Sequence, residues 1–137
     1  MVFTIDGEDA KDLDDAIHVE KLPNGNYKLD VHIADVSHYV REKTELDKEA
    51  YLRGTSIYML GRVIPMLPRE LSNGICSLNA GEDRYTLSCS MEITPNAKIV
   101  DSDIYKAVIK VTERMTYTDV QKILDKSDND VLKKYEK

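Results

Sequence analysis

The chain has 137 residues, 25 acidic and 19 basic side chains, a formal net charge of −6 and 42% hydrophobic residues. That length suits one domain, and the apolar content can supply a core, which excludes wholesale disorder. No run of about 18 apolar residues occurs, so a helical membrane span is excluded, and Met1-Val2-Phe3 leads into acidic residues rather than a signal peptide.

Residues 2–5 read as a short strand that enters an acidic stretch, and residues 16–22 as a second strand. Pro23-Asn24-Gly25-Asn26 carries an Asn-Gly turn signal, after which Tyr27, Leu29, Val31 and Ile33 alternate with Lys28, Asp30 and His32. This pattern predicts a hairpin with one buried face. Thr44, with Asp47 three residues later, marks a capped helix start, and Leu46, Ala50, Tyr51 and Ile57 follow at roughly helical spacing. Pro68 is placed to open a short helix over residues 69–73, closed by Gly74. Tyr85, Leu87, Cys89, Met91 and Ile93 alternate with polar residues as a third good strand. Residues 94–97 form a turn, and residues 99–111 a long, bent strand. Thr118, with Gln121 three residues on, begins a final helix, and the polar tail from Asp125 is expected to fray. The predicted class is α/β of the α+β type: a mixed, largely antiparallel sheet with a few helices packed on it.

The charge is not spread evenly. Residues 6–20 hold seven acids (Asp6, Glu8, Asp9, Asp12, Asp14, Asp15 and Glu20) and one base, Lys11, while the remainder balances at 18 of each sign. The chain is a neutral domain with one acidic loop, and such a loop is repulsive unless something positive lies among its carboxylates. Hard divalent cations such as Mg²⁺ take oxygen ligands and need several carboxylates converging from a short segment. Asp6 at a strand end and Asp12, Asp14 and Asp15 on the return path could meet in that way, with Gly7 allowing a tight turn.

Other readings compete. An EF-hand loop needs Gly at its sixth position, which is Lys11 counted from Asp6 and Ile17 counted from Asp12, so that reading fails. Asp12-Leu13-Asp14 alone matches the D-x-D of metal-dependent sugar transferases, but three residues carry little information. A merely solvated acidic loop is disfavoured by Ile5, Leu13 and Ile17, which interleave with the acids as in a packed segment. His18, His32 and His38 lie on or beside strands and read as structural hydrogen-bonders. Asp35, Ser37 and His38 lack a nucleophile elbow or an oxyanion signature. Cys76 and Cys89 form no C-x-x-C pair, which argues against zinc or a disulfide framework and fits a reducing, cytoplasmic setting.

Three stretches, in order, resemble the RNB catalytic domain of the RNase II / ribonuclease R family of 3′→5′ exoribonucleases. The first is residues 4–16, Thr-Ile-Asp followed by an acidic spacer and Asp-x-Asp-Asp. The second is His32-Ile33-Ala34-Asp35-Val36-Ser37-His38-Tyr39-Val40. The third, Ile64-Pro65-Met66-Leu67-Pro68-Arg69-Glu70-Leu71-Ser72, runs on into Cys76-Ser77-Leu78. The details look more like ribonuclease R than RNase II.

The resemblance implies that Asp6, Asp12, Asp14 and Asp15 are the active-site aspartates holding Mg²⁺ (Mn²⁺ as a possible substitute) at the scissile phosphate, with Asp14 the least dispensable. It implies hydrolysis of RNA from a single-stranded 3′ end to nucleoside 5′-monophosphates, and it assigns Tyr58 to packing against the 3′-terminal nucleotide. An RNB-like protein that binds RNA without cleaving it is the alternative. The family's catalytic domain is considerably longer and is flanked by cold-shock and S1 domains. Residues 1–137 are therefore expected to be an N-terminal piece of an RNB domain, truncated at both ends, inactive alone and open to self-association through uncovered surface.

Overall fold

The computed structural model describes residues 1–135. Strands β1 (Val2–Asp6), β2 (Asp15–Lys21) and β3 (Tyr27–Ala34) are followed by helices α1 (Val36–Tyr39) and α2 (Glu45–Arg53). A small hairpin, β4 (Ile57–Met59) with β5 (Arg62–Ile64), precedes a distorted helical segment, α3 (Glu70–Ile75). Long strands β6 (Asp83–Ile93) and β7 (Ile99–Lys110), then β8 (Glu113–Thr116), lead into α4 (Tyr117–Asp125) and α5 (Asn129–Tyr135). No helix among the described residues is long and apolar enough to cross a membrane.

The main sheet has the order β7-β6-β3-β2-β1-β8. Every neighbouring pair is antiparallel except β1 with β8, which run parallel from Phe3↔Glu113 to Asp6↔Thr116. The sheet is thus mixed and largely antiparallel, as expected. Only Val111 and Thr112 separate β7 from β8, yet these strands lie at opposite edges of the strand order. Two residues span at most about 11 Å between their neighbours, so the sheet must curl until its edges approach. The amide of Thr112 donating to Val2 O at 2.8 Å marks this closure.

Curling decides which face is buried. Leu13, Ala16, Ala34, Cys76, Leu78, Ile109 and Val111 fill the concave side. The neighbouring concave positions are polar: Thr4, Asp30, His32, Thr86 and Ser88 are all buried. All but Thr4 are hydrogen-bonded through their side chains: His32 Nδ1 with Ser88 Oγ at 2.8 Å, Thr86 Oγ1 with Ser88 Oγ at 2.9 Å, and half-buried His18 Nδ1 with Asp30 Oδ2 at 3.0 Å. The apolar rows lie on the convex side, where Val19, Tyr27, Ile33, Tyr85, Leu87, Ile104 and Val108 remain exposed. The hairpin therefore buries the face opposite to the one its alternation suggests, because hydrogen bonding offsets the desolvation of short polar groups in the crowded interior.

Thr44 caps α2 by accepting from Asp47 N at 3.3 Å, but the helix stops at Gly54 (φ 70°), and Ile57 belongs to β4. The Pro68 helix begins at Glu70, and the helical conformation breaks at Gly74 (φ −105°, ψ −108°), the residue expected to close it. The cap of α4 is Thr116, two residues before Thr118, and accepts from Asp119 N at 3.1 Å. The tail does not simply fray: α5 returns, and Tyr135 donates to Asp119 Oδ2 at 2.8 Å. Residues 136–137, the end of that tail, lie outside the described residues.

Candidate active site

The acidic loop, residues 7–14, connects β1 to β2, with Asp6 closing one strand and Asp15 opening the next. Its inner half is stitched to the core from far along the chain. Leu13 N donates to Ser77 Oγ at 3.1 Å, Ser77 Oγ donates to Lys11 O at 2.9 Å, and Leu78 N donates to Leu13 O at 2.8 Å. Ala34 N donates to Asp14 O at 2.9 Å. The segment supplying Ser77 is itself held by Arg84, whose guanidinium donates to Ser77 O at 2.8 Å and Gly74 O at 3.3 Å. Buried Leu13 anchors the loop while its acidic neighbours face outward.

The four predicted aspartates share one electrostatic neighbourhood. Burial raises the Asp6 carboxyl above the ordinary carboxylate value, and the charges of Asp15 and Asp12 push it the same way, against the opposing effects of the Thr4 hydroxyl and the Arg114 guanidinium. Asp14 is exposed as a residue, yet neighbouring protein partly desolvates its carboxyl, which is raised further by Asp12, Asp15 and Asp6. Asp6 Oδ2 is buried without a well-formed hydrogen bond among the described residues. Arg114 is the one positive charge felt at Asp6 and none is felt at Asp14, so the cluster keeps an excess of negative charge, the condition that a hard cation satisfies. The donor set fits such an ion in type and charge. It is not drawn together as a closed ligand set: among the described residues, no three histidine, cysteine, aspartate or glutamate groups are gathered for a metal. Mutual repulsion keeps uncompensated carboxylates apart.

Tyr58 is not beside a helix end but on β4, 69% exposed, and its hydroxyl donates to Asp12 Oδ2 at 3.0 Å. The Asp12 carboxylate raises the Tyr58 hydroxyl's pKa, first as the acceptor of that bond and then through its charge. Asp12 forms part of the wall of two cavities. One, of about 380 Å³, runs past Asp14 to Ala34, Met66 and Cys76; the other, of about 500 Å³, runs past Tyr58 to Lys11, Arg69 and Asn73. Tyr58 thus stands where a group bound beside the carboxylates would meet an aromatic ring.

Two of the three histidines, His18 and His32, hydrogen-bond through their rings as expected, and His38 packs by ring stacking instead, on Tyr85 with ring centroids 4.2 Å apart. Residues that sequence reasoning did not single out also shape the site. Arg114 Nη2 donates to the carbonyls of Gly7 (3.1 Å), Glu8 (2.9 Å) and Ala10 (2.9 Å), and Thr118 Oγ1 donates to Glu8 Oε1 at 2.5 Å. More than a hundred residues separate these partners, so no local pattern signals them.

The RNB domain family model matches residues 1–136. The chain belongs to the RNB family. It is 58% identical over 137 residues to ribonuclease R 1 of Lactococcus lactis subsp. lactis (strain IL1403), covering all of this chain and 17% of the relative. It is 59% identical over 136 residues to ribonuclease R of Thermotoga maritima, covering 99% of this chain and 19% of that protein. Among solved structures, Mycoplasma genitalium RNase R in complex with double-stranded RNA superposes with a TM-score of 0.88 at 40% identity, over 93% of this chain and 23% of that one. This RNB chain therefore spans about a fifth or less of the length of these curated relatives.

Proposed function

We propose that this RNB chain carries the carboxylate portion of a divalent-metal-dependent 3′→5′ exoribonuclease site that releases nucleoside 5′-monophosphates. The observation that carries the reading is the set of four like-charged aspartates on and beside one core-anchored loop, with Tyr58 bonded to Asp12. Asp6, Asp12, Asp14 and Asp15 would hold Mg²⁺, or Mn²⁺ in its place. When bound, such an ion supplies an activated water and neutralises charge developing at the scissile phosphate. The chain's own residues do the positioning. Leu13, Ser77 and Leu78 hold the loop's inner half, and Tyr58 offers a ring on which a terminal base stacks without regard to sequence. The binding-only alternative has less support, since all four acids are present.

The test uses a polypeptide of the relatives' length containing these residues and 5′-labelled single-stranded RNA. With Mg²⁺ the label shortens progressively from the 3′ end and nucleoside 5′-monophosphates accumulate; with chelator the RNA stays intact. Binding without shortening in Mg²⁺ and in Mn²⁺ supports the alternative.

The convex apolar face supports a second expectation, that the 137-residue chain self-associates. Sedimentation from about 5 to 200 μM should show a rising average mass, abolished by Leu87→Lys with Ile104→Lys; a constant monomer mass refutes it.

A further inference from the structure

We infer that Arg114 is the positioning residue of the acidic loop: one guanidinium nitrogen gathers the carbonyls of Gly7, Glu8 and Ala10, and so sets how the aspartates flanking the loop face one another. The inference rests on the metal-site reading above for its consequence, but not for its geometry.

The loop has two halves that are secured differently. Its inner half, Lys11–Leu13 in chain terms, is tied to Ser77 and Leu78 inside the core. Its outer half, from Gly7 to Ala10, has one internal backbone bond, Ala10 N to Gly7 O at 3.1 Å. Glu8 and Asp9 on that half are exposed, and their charges repel those of the aspartates on either side. Left alone, such a segment would swing outward. Nη2 of Arg114 meets all three carbonyls at 2.9–3.1 Å. Thr118 adds its bond to the Glu8 carboxylate.

The origin of the clamp is as informative as its contacts. Arg114 sits on β8, in parallel register with Thr4 of β1, two residues before Asp6. The strand carrying the guanidinium is therefore bonded directly to the strand that delivers the first aspartate. Loop and clamp share one rigid edge, so the guanidinium holds the outer half at a fixed offset from Asp6. Nη2 has two N–H bonds for three carbonyls, so at least one is shared, and what arginine contributes is a planar group that fixes this nitrogen's direction, which an ammonium on a flexible stem lacks.

Hydrogen exchange and Mn²⁺ titration of the 137-residue chain, for wild type, Arg114→Ala and Arg114→Lys, test this. In Arg114→Ala the amides of residues 7–11 should exchange roughly tenfold faster, while β3 and β6 stay protected. Mn²⁺ binding, followed by water-proton relaxation, should weaken about 10- to 100-fold, the loss typical when a support behind metal ligands is removed. Arg114→Lys, which keeps the charge and disturbs β8 least, should recover only part of both. Unchanged loop exchange in both variants overturns the clamp. Faster loop exchange with Mn²⁺ affinity within twofold of wild type overturns the positioning role. If Arg114→Ala fails to fold, Arg114→Lys carries the same two readouts. If wild type binds no Mn²⁺, the metal-site reading and the positioning role fall together, while the exchange data still decide whether the clamp exists.

Discussion

Asp14→Asn is expected to lower RNA turnover by roughly a thousandfold in a polypeptide of the relatives' length, while RNA affinity stays within about threefold. The substitution keeps shape and hydrogen-bonding capacity and removes one charge from a cluster built of charge. The same change has the opposite effect on the 137-residue chain without metal, where its melting temperature rises. Asp14 is held above the ordinary carboxylate value by desolvation and by Asp12, Asp15 and Asp6, so its ionised form is disfavoured where it sits. Removing it relieves that repulsion. Added Mn²⁺ should then stabilise the wild type, by about 2.7 kcal/mol at a hundredfold excess over the dissociation constant, and stabilise Asp14→Asn far less. Paired kinetics and metal-dependent melting check both halves. Full turnover in Asp14→Asn ends its assignment, and metal-free melting below wild type contradicts the repulsion argument.

The second large effect concerns stability. Leu78 is 0% exposed, and its amide holds Leu13 O, so its side chain and backbone both secure the root of the acidic loop. Leu78→Ala is expected to cost about 3 kcal/mol in urea denaturation, the transfer loss plus an unfilled cavity. For a domain with a total of about 5–15 kcal/mol, that is a large share. Leu60, 107% exposed at the tip of the β4–β5 hairpin, supplies the contrast. Leu60→Ala should change stability by less than about 0.5 kcal/mol. Equal costs for the two substitutions would show that the core is not where the structure places it.

The acidic loop was legible in the sequence because its residues are contiguous. Charge spacing, interleaved Ile5, Leu13 and Ile17, and the family's Thr-Ile-Asp and Asp-x-Asp-Asp elements all lie within a few positions. Strands β3 and β6 were legible for a similar reason, since alternation at period two is written locally. Their buried face was not. The concave side took Asp30, His32, Thr86 and Ser88, and the apolar rows turned outward. That choice depends on how far the sheet curls, which no single strand records. Strand β8 escaped notice because four residues, Glu113–Thr116, give little pattern, and because its partner β1 lies at the other end of the chain.

The sequence by itself determined the family, the acidic loop with Asp6, Asp12, Asp14 and Asp15 at close spacing, and the strands on either side of it. These follow from residue types at short spacing, where chemistry and periodicity are read directly. Only the tertiary structure decided what holds that set in place. Ser77 reaches Lys11 and Leu13 across more than sixty residues, Tyr58 reaches Asp12 across 46, and Arg114 reaches Gly7 across 107. Each is a bond between a polar group and a distant partner, set by the curl of the sheet and the return of β8 against β1. Such pairings depend on closing long loops of chain, and their cost is met by the core as a whole. The carboxylates were visible as residues; their surroundings became visible only once the chain had folded around them.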